Sequence, residues 1–400
     1  MSPTILGNAN AINAVPVDGV YSPPPPPPLT DLTFNQAITD ALLLDPVNAS
    51  VPIPVYGLMS SWNTSQVTDM SDAFLNRTTF NGNISAWNTS NVTTMNSMFE
   101  NAGSFNQPIG SWNTSNVTDM TKVFYGPFGV PYAFNQDINT WDVSNVTNIS
   151  QMFQNAVSFN QPLASWNVSN VGSLYNMFTN CTAFNQPLDS WDVSNSNNFN
   201  STFGNCTSFD QPLNNWDVTA ATGNGIRSIF AGATSFNQDL DNWDVTSATS
   251  LGSMFADCTS FNGDITTWDV SNIKSFGSMF SGATSFNRDL NGWTTSSLET
   301  DGALRVFKGA TTFNQPLDNW DVSNVTIFEE MFEDATSFDK DLSAWNTGSA
   351  INMFQMFQNA TSYNQDLSGW TVNLVTSCSN FSNGAIAWVD PKPTFTACVP

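Results

Sequence analysis

Two series of aspartates supply most of the side chains in this sequence that could do chemistry. Asp142, Asp192, Asp217, Asp244, Asp269 and Asp321 each follow a tryptophan, and Asp137, Asp239, Asp264, Asp289, Asp341 and Asp366 each close an Asn-Gln-Asp triplet or a variant of it. Carboxylates that recur at a fixed interval point to two chemistries. Hard cations such as Ca2+ take oxygen ligands, and a pair of carboxylates can hydrolyse a glycosidic bond. The Gly-rich nonapeptide of calcium-binding β-helices is absent. Both series also alternate with Asn or Pro at equivalent positions. The reading is therefore of strand-turn caps or a solvated face. No catalytic, cofactor-binding or metal-binding residue is assigned, and Ca2+ is the one weak cofactor candidate.

The sequence has no histidine. That removes the commonest general base, and with it the Ser-His-Asp and Cys-His arrangements. The expectation is a protein that is not an enzyme. Of the five cysteines, Cys378 and Cys398 flank the last segment and are a candidate disulfide that would staple it. Cys181, Cys206 and Cys258 occupy a slot that is Ala in most other copies and read as small buried residues. Cys181 and Cys206 fall on adjacent copies, so a bond between them stays open. Candidate glycosylation sequons lie at Asn63, Asn88, Asn113, Asn145 and Asn324, and also at Asn91, Asn116, Asn148 and Asn359. The Ser-Asn-Val-Thr stretch serves equally as the turn chemistry of the repeat itself.

These groups are positioned by a repeat. Trp62, Trp87, Trp112, Trp141, Trp166, Trp191, Trp216, Trp243, Trp268, Trp293, Trp320, Trp345 and Trp370 mark copies at intervals of 25, 27 or 29 residues. Such a period means a solenoid, a propeller or an array. In each copy Leu163, Trp166 and Val168, or their equivalents, have the L-x-x-L-x-L spacing of a leucine-rich-repeat strand. Val92, Met95, Met98 and Phe99 have a spacing that suits one or two helical turns. The expected fold is a repeat solenoid of leucine-rich-repeat type, right-handed, with one short parallel β-strand plus a short helical turn per rung of about 25 residues and about 13 rungs. No rung can bury its aromatics alone, whereas stacked neighbours can. The Asn that follows Phe, at Asn106, Asn135, Asn160, Asn185, Asn237, Asn262, Asn287, Asn314 and Asn364, recurs regularly enough to predict an internal asparagine ladder. Three insertions interrupt the period, around residues 125–132, 221–225 and 300–302, and their Gly and Pro content predicts bulged loops.

Residues 1–30 read as an extended arm, because Pro23 to Pro28 form an unbroken polyproline run. Residues 31–55 read as an amino-terminal cap, within which Phe34-Asn35-Gln36-Ala37-Ile38 imitates the start of a copy. The repeats fill residues 56–375, and residues 376–400 form a closing cap. The formal net charge is −24, which disfavours nucleic acids and anionic membranes as partners. No apolar run is long enough to span a membrane. The amino terminus lacks the basic and apolar regions of a signal peptide.

The motif W-D-V-S-N-V-T-x-M-x-x-M-F-x-x-A-x-S-F-N-Q, seen at Trp141–Phe159 and Trp320–Phe338, resembles the BspA-like leucine-rich repeats of bacterial and protist surface proteins. The subgroup it is most similar to is the 26-residue-repeat or mycoplasma lipoprotein type. The resemblance covers roughly residues 60–375. It implies surface exposure and adhesion, or binding of proteins or glycans, with no catalytic motif. The functional expectation is a non-enzymatic, extracellular or cell-surface adhesion or recognition protein. The alternative is a structural component of a filament, surface layer or virus particle, self-assembled through the Pro-rich residues 1–30.

Overall fold

The computed structural model describes residues 25–400. Most of the expected arm, residues 1–24, lies outside the described residues.

The copies stack as rungs, but each rung is a chain of tight turns. The Leu163 carbonyl accepts from Trp166 N–H at 3.1 Å, Val168 from Val171 at 2.8 Å, Leu174 from Met177 at 3.0 Å and Phe178 from Cys181 at 2.8 Å. The N–H groups between these turns reach the next rung. Leu174, Asn176, Phe178 and Asn180 donate to the carbonyls of Asn198, Asn200, Thr202 and Gly204 at 2.7–3.0 Å. Alternate residues thus bond to the neighbouring rung, as in a parallel ladder, while the residues between them close turns within their own rung. Backbone groups that neither a helix nor a sheet would satisfy are satisfied this way.

This overturns the expected right-handed, strand-plus-helix solenoid of leucine-rich-repeat type. Among the described residues the regular elements are one α-helix, α1 (Asp31–Leu44), and one 3-10 turn (Met59–Ser61). Parallel pairing contracts to single residues per rung, such as the series Asp69, Thr94, Asp119 and Asn148. Two backbone positions explain why. Asn176 and Asn180 have φ of 52° and 62°, and Ser201 and Asn205 have φ of 53° and 55°. A left-handed residue every fourth position is incompatible with either a helix or a strand. The spacing Met-x-x-Met-Phe was compatible with a helical turn, but consecutive four-residue turns place the same side chains inward. Leu163 and Trp166 likewise sit at the two ends of a turn and not along a strand.

Burial follows the pattern read from the repeat. Leu163, Trp166, Val168, Leu174, Met177 and Phe178 are all at most 3% exposed. Three aromatic columns run through the stack. Trp166 lies over Trp191 and Trp191 over Trp216, both at 6.4 Å; Phe153, Phe178 and Phe203 follow at 5.6 and 5.7 Å; Phe159 and Phe184 are 6.0 Å apart. Parallel rings recur because each rung repeats the one before it.

At the amino-terminal end α1 takes the place of a rung. Asp31, in its first turn, favours the helix dipole, and its carboxylate accepts from Thr68 N–H and Oγ1 at 2.7 Å and from Asp69 N–H at 3.1 Å. Phe34 packs edge-on against Trp87 at 5.4 Å. Phe34-Asn35-Gln36-Ala37-Ile38 is therefore helical and does not form the start of a copy. The fold also begins before residue 31. Leu29 is fully buried, and its N–H donates to the Asn63 carbonyl at 2.8 Å. At the other end Val389 and Asp390 N–H bond to Asn364 Oδ1 at 2.7 and 3.0 Å, and Cys378 and Cys398 form a disulfide. In the largest insertion Tyr132 is buried and donates its hydroxyl to the Phe99 carbonyl at 2.6 Å.

Candidate functional site

The recurring polar side chains mostly hold rungs together. The Asn after Phe forms a ladder along the stack. Asn135 Oδ1 accepts from Asn160 N–H at 2.9 Å and from Gln161 Nε2 at 3.1 Å, and Asn160 Oδ1 accepts from Asn185 N–H at 2.9 Å. Asp210 replaces Asn in this ladder and accepts from Asn237 N–H and Gln238 Nε2 at 2.9 and 2.8 Å. The ladder therefore needs the oxygen and not the amide nitrogen. A second ladder escaped the sequence reading. Asn116, Asn145 and Asn170 donate Nδ2 to the carbonyls of Ser90, Ser115 and Ser144, each at 2.7 Å. The recurring Ser-Asn-Val was its signal. A third is made by the tryptophans, whose Nε1 reaches the preceding rung, as from Trp166 to the Ile138 carbonyl at 3.1 Å.

The two aspartate series are turn acceptors. Asp142 Oδ1 accepts from Ser144 N–H at 3.0 Å and Oγ at 2.6 Å, and Asp192, Asp217, Asp244, Asp269 and Asp321 each take the backbone N–H two residues on. Asp137, Asp264, Asp289, Asp341 and Asp366 do the same, while Asp239 accepts from Asp264 N–H of the next rung at 2.8 Å. The serine hydroxyl first, and then the serine N–H, holds the carboxyls of Asp142, Asp192, Asp269, Asp321 and Asp366 below the ordinary carboxylate range. Stabilised carboxylates of this kind are poor general acids. Among the described residues no group of three or more acidic, His or Cys side chains is placed to hold a metal ion.

The candidate glycosylation residues Asn63, Asn88, Asn113, Asn145 and Asn324 are all exposed. Asn63, Asn88 and Asn113 use Oδ1 as the acceptor of a turn to Ser65, Ser90 and Ser115, at 3.0–3.2 Å. Asn145 differs, since its Nδ2 belongs to the second ladder. Cys181, Cys206 and Cys258 are free and buried, each with its thiol 2.8 Å from a carbonyl of the preceding rung. Burial pushes all three thiols well above their ordinary pKa.

What remains exposed is organised along the stack. A shallow depression of about 420 Å³, of mixed polar and apolar lining, is formed by Asn139, Thr140, Trp141, Asp142, Val143, Ser165 and Asn167. It recurs at Asn214, Asn215, Trp216, Asp217, Asn242 and Asp244 with about 400 Å³. Other features lie off this pattern. An apolar groove of about 560 Å³ runs between α1 and residues 53–56, lined by Leu32, Ala37, Leu43, Leu44, Ile53 and Val55. A charged cluster joins Arg305 and Lys308 to Glu329, Glu330 and Glu333; Arg305 Nε lies 2.9 Å from Glu330, and Lys308 Nζ lies 2.7 Å from Glu333. Among the described residues no helix is long and apolar enough to cross a membrane.

A family profile described as Mycoplasma protein of unknown function, DUF285, matches the chain in four tandem segments, residues 55–129, 127–225, 224–304 and 303–391. The chain belongs to this repeat family. No curated protein and no solved structure matches it.

Proposed function

We propose that this member of the repeat family is a non-enzymatic recognition protein that presents the recurring depressions of its stack to macromolecules outside the cell. The observation that carries the reading is the recurrence of one depression of mixed polar and apolar lining at equivalent positions, Asn139–Asn167 and Asn214–Asp244. Equivalent sites on a rigid stack suit a ligand that itself repeats, because linked weak contacts sum to a strong one. The engagement of both aspartate series in turns supports a role without hydrolysis. The Cys378–Cys398 disulfide supports an oxidising location. The test is binding of the labelled protein to arrays of glycans and surface proteins, with a parallel hydrolysis screen on polysaccharides, peptides and esters. Saturable binding without turnover is expected. Turnover abolished by a single Asp→Asn change refutes the reading.

A second reading, a building block that stacks end to end with further copies of itself, is favoured by the placement of exposed aliphatic residues. Among the described residues Leu32, Leu43, Leu44 and Val55 are exposed at one end and Leu374, Ile386, Val389 and Val399 at the other. The first end has no Lys or Arg between residues 25 and 76, whereas the other carries Lys392. Sedimentation of wild type and Leu43→Glu tests this. Concentration-dependent growth that the substitution abolishes supports it, and a monomer at all concentrations refutes it.

A further inference from the structure

The two smaller insertions lie three rungs apart in the sequence, yet the stack brings both to one place. Asn224 of the first and Asp301 of the second line a single cleft of about 250 Å³, together with Arg227, Thr249, Ser250, Lys274 and Ser275. Departures from a repeat that converge in space are where a function beyond stacking is expected. We propose that this cleft binds one residue of a carboxylate-bearing saccharide, with Arg227 holding the carboxylate. The proposal rests on the recognition reading above and gives it a site and a ligand class.

Three observations carry it. The first is charge. The chain has nine Lys and Arg against 33 Asp and Glu, and two of the nine line this cleft. Lys274 Nζ is 2.7 Å from the exposed Glu299 carboxylate, whereas the Arg227 side chain makes no hydrogen bond or ion pair among the described residues. A guanidinium whose donors have no partner can pair with the two oxygens of a carboxylate.

The second is space. The position one residue after the first Met of the Met-x-x-Met-Phe run is held by Asn96, Thr121, Ser150, Tyr175, Asn200 and Arg227 on six successive rungs, and then by Gly252 and Gly277. These two glycines have ordinary negative φ, so their use is spatial. A Cβ on Gly252 would lie 3.0 Å from Arg227 Nε, and one on Gly277 would lie 3.3 Å from Ser275 Oγ. The missing side chain at Gly252 lets the Arg227 guanidinium lie against the backbone there, and the one missing at Gly277 leaves room beside Ser275 and Asp301.

The third is the mixed lining. Ser250 Oγ and Ser275 Oγ accept from the N–H groups of Gly252 and Gly277 at 3.2 and 3.1 Å, which leaves each hydroxyl proton to donate. Asp301 supplies an acceptor for sugar hydroxyls, and Asn224 supplies both kinds of group. A sugar acid offers one carboxylate and several hydroxyls, which is the complement of one unpaired cation among neutral and acidic groups. The guanidinium takes a carboxylate or a phosphate alike, so it is the hydroxyl-complementing groups of Ser250, Ser275, Asn224 and Asp301 that favour a sugar acid.

Isothermal titration calorimetry with galacturonic acid, tetragalacturonate and a neutral galactose tetramer tests the site on wild type, Arg227→Gln, Gly277→Asn and Lys392→Gln. Arg227 is exposed, and Gly277→Asn restores a residue type that other rungs carry, so folding is not at stake. The wild type is expected to bind the acidic sugars saturably and the neutral tetramer at least tenfold more weakly. Arg227→Gln should weaken acid binding tenfold or more, Gly277→Asn should abolish it, and Lys392→Gln should leave it unchanged. Equal affinity for monomer and tetramer identifies a free sugar acid, and tighter tetramer binding identifies a polymer; both support the shared chemistry. The proposal is overturned if the wild type binds neither acid at millimolar concentration, or if Arg227→Gln and Gly277→Asn bind as the wild type does. In that case, array binding indifferent to Arg227→Gln leaves the broader recognition reading standing.

Discussion

Removing the indole of Trp166 tests how a rung is held together. The side chain is 3% exposed, stacks on Trp191 at 6.4 Å with its ring nearly parallel, and donates Nε1 to the Ile138 carbonyl of the preceding rung at 3.1 Å. Truncation of a buried Trp to Ala costs about 3–5 kcal/mol. Because the Ile138 carbonyl would lose its partner, Trp166→Ala belongs in the upper half of that range. Trp166→Phe keeps an aromatic in the column and removes the donor, which costs about 1–3 kcal/mol for the buried group left unpaired. Trp293 provides the control within the same chain. It is equally buried and stacks on Trp268 at 6.4 Å, but its Nε1 has no hydrogen-bond partner among the described residues. Trp293→Phe removes an orphaned donor, so it should cost about 1–2 kcal/mol less than Trp166→Phe. Urea melts followed by far-UV circular dichroism measure both, and a second probe checks for stepwise unfolding, to which arrays of nearest-neighbour contacts are prone. A cost below about 1 kcal/mol for Trp166→Ala, or a larger cost for Trp293→Phe than for Trp166→Phe, refutes the ladder.

Four further outcomes are expected. Ser201 has a φ of 53°, so Ser201→Gly should be more stable than Ser201→Ala by about 0.5–1 kcal/mol; a helical turn at this site would reverse the order. Asp142, Asp192, Asp269 and Asp321 have depressed carboxyl pKa values from the hydrogen bonds of the following Ser, so their contribution is present above the unfolded value near ~4 and is lost as pH falls through the lower folded values; a thermal midpoint that rises on acidification below that value contradicts this sign. Cys181, Cys206 and Cys258 should be inert to a thiol reagent in the native protein and react only on denaturation, while reduction of Cys378–Cys398 should cost about 3 kcal/mol at the carboxyl-terminal end. Deleting residues 1–24 should leave the thermal midpoint unchanged, whereas extending the deletion through buried Leu29 should lower it; equal midpoints for the two truncations would show that Leu29 contributes nothing.

Much of this protein follows from local sequence. The period of the tryptophans sets the rungs, and the inward slots of Leu163, Trp166, Val168, Met177 and Phe178 are identifiable because apolar area must leave water whatever the backbone does. The Asn-after-Phe ladder was legible for a related reason, since an amide repeated at one slot has a repeated partner. Conformation was not legible in the same way. Apolar residues at intervals of three and four satisfy a helix and a succession of four-residue turns equally well. The choice between them was made by the N–H groups of Leu174, Asn176, Phe178 and Asn180, which bond to residues 24 positions later. Only the stacked neighbour supplies those carbonyls, so no window of sequence as short as a rung contains the deciding energy. The cleft is a stronger case of the same limit. Asn224 and Asp301 are ordinary loop residues 77 positions apart, and Gly252 and Gly277 are ordinary glycines. Stacking at a fixed register places them side by side, and that register exists only once the rungs have packed.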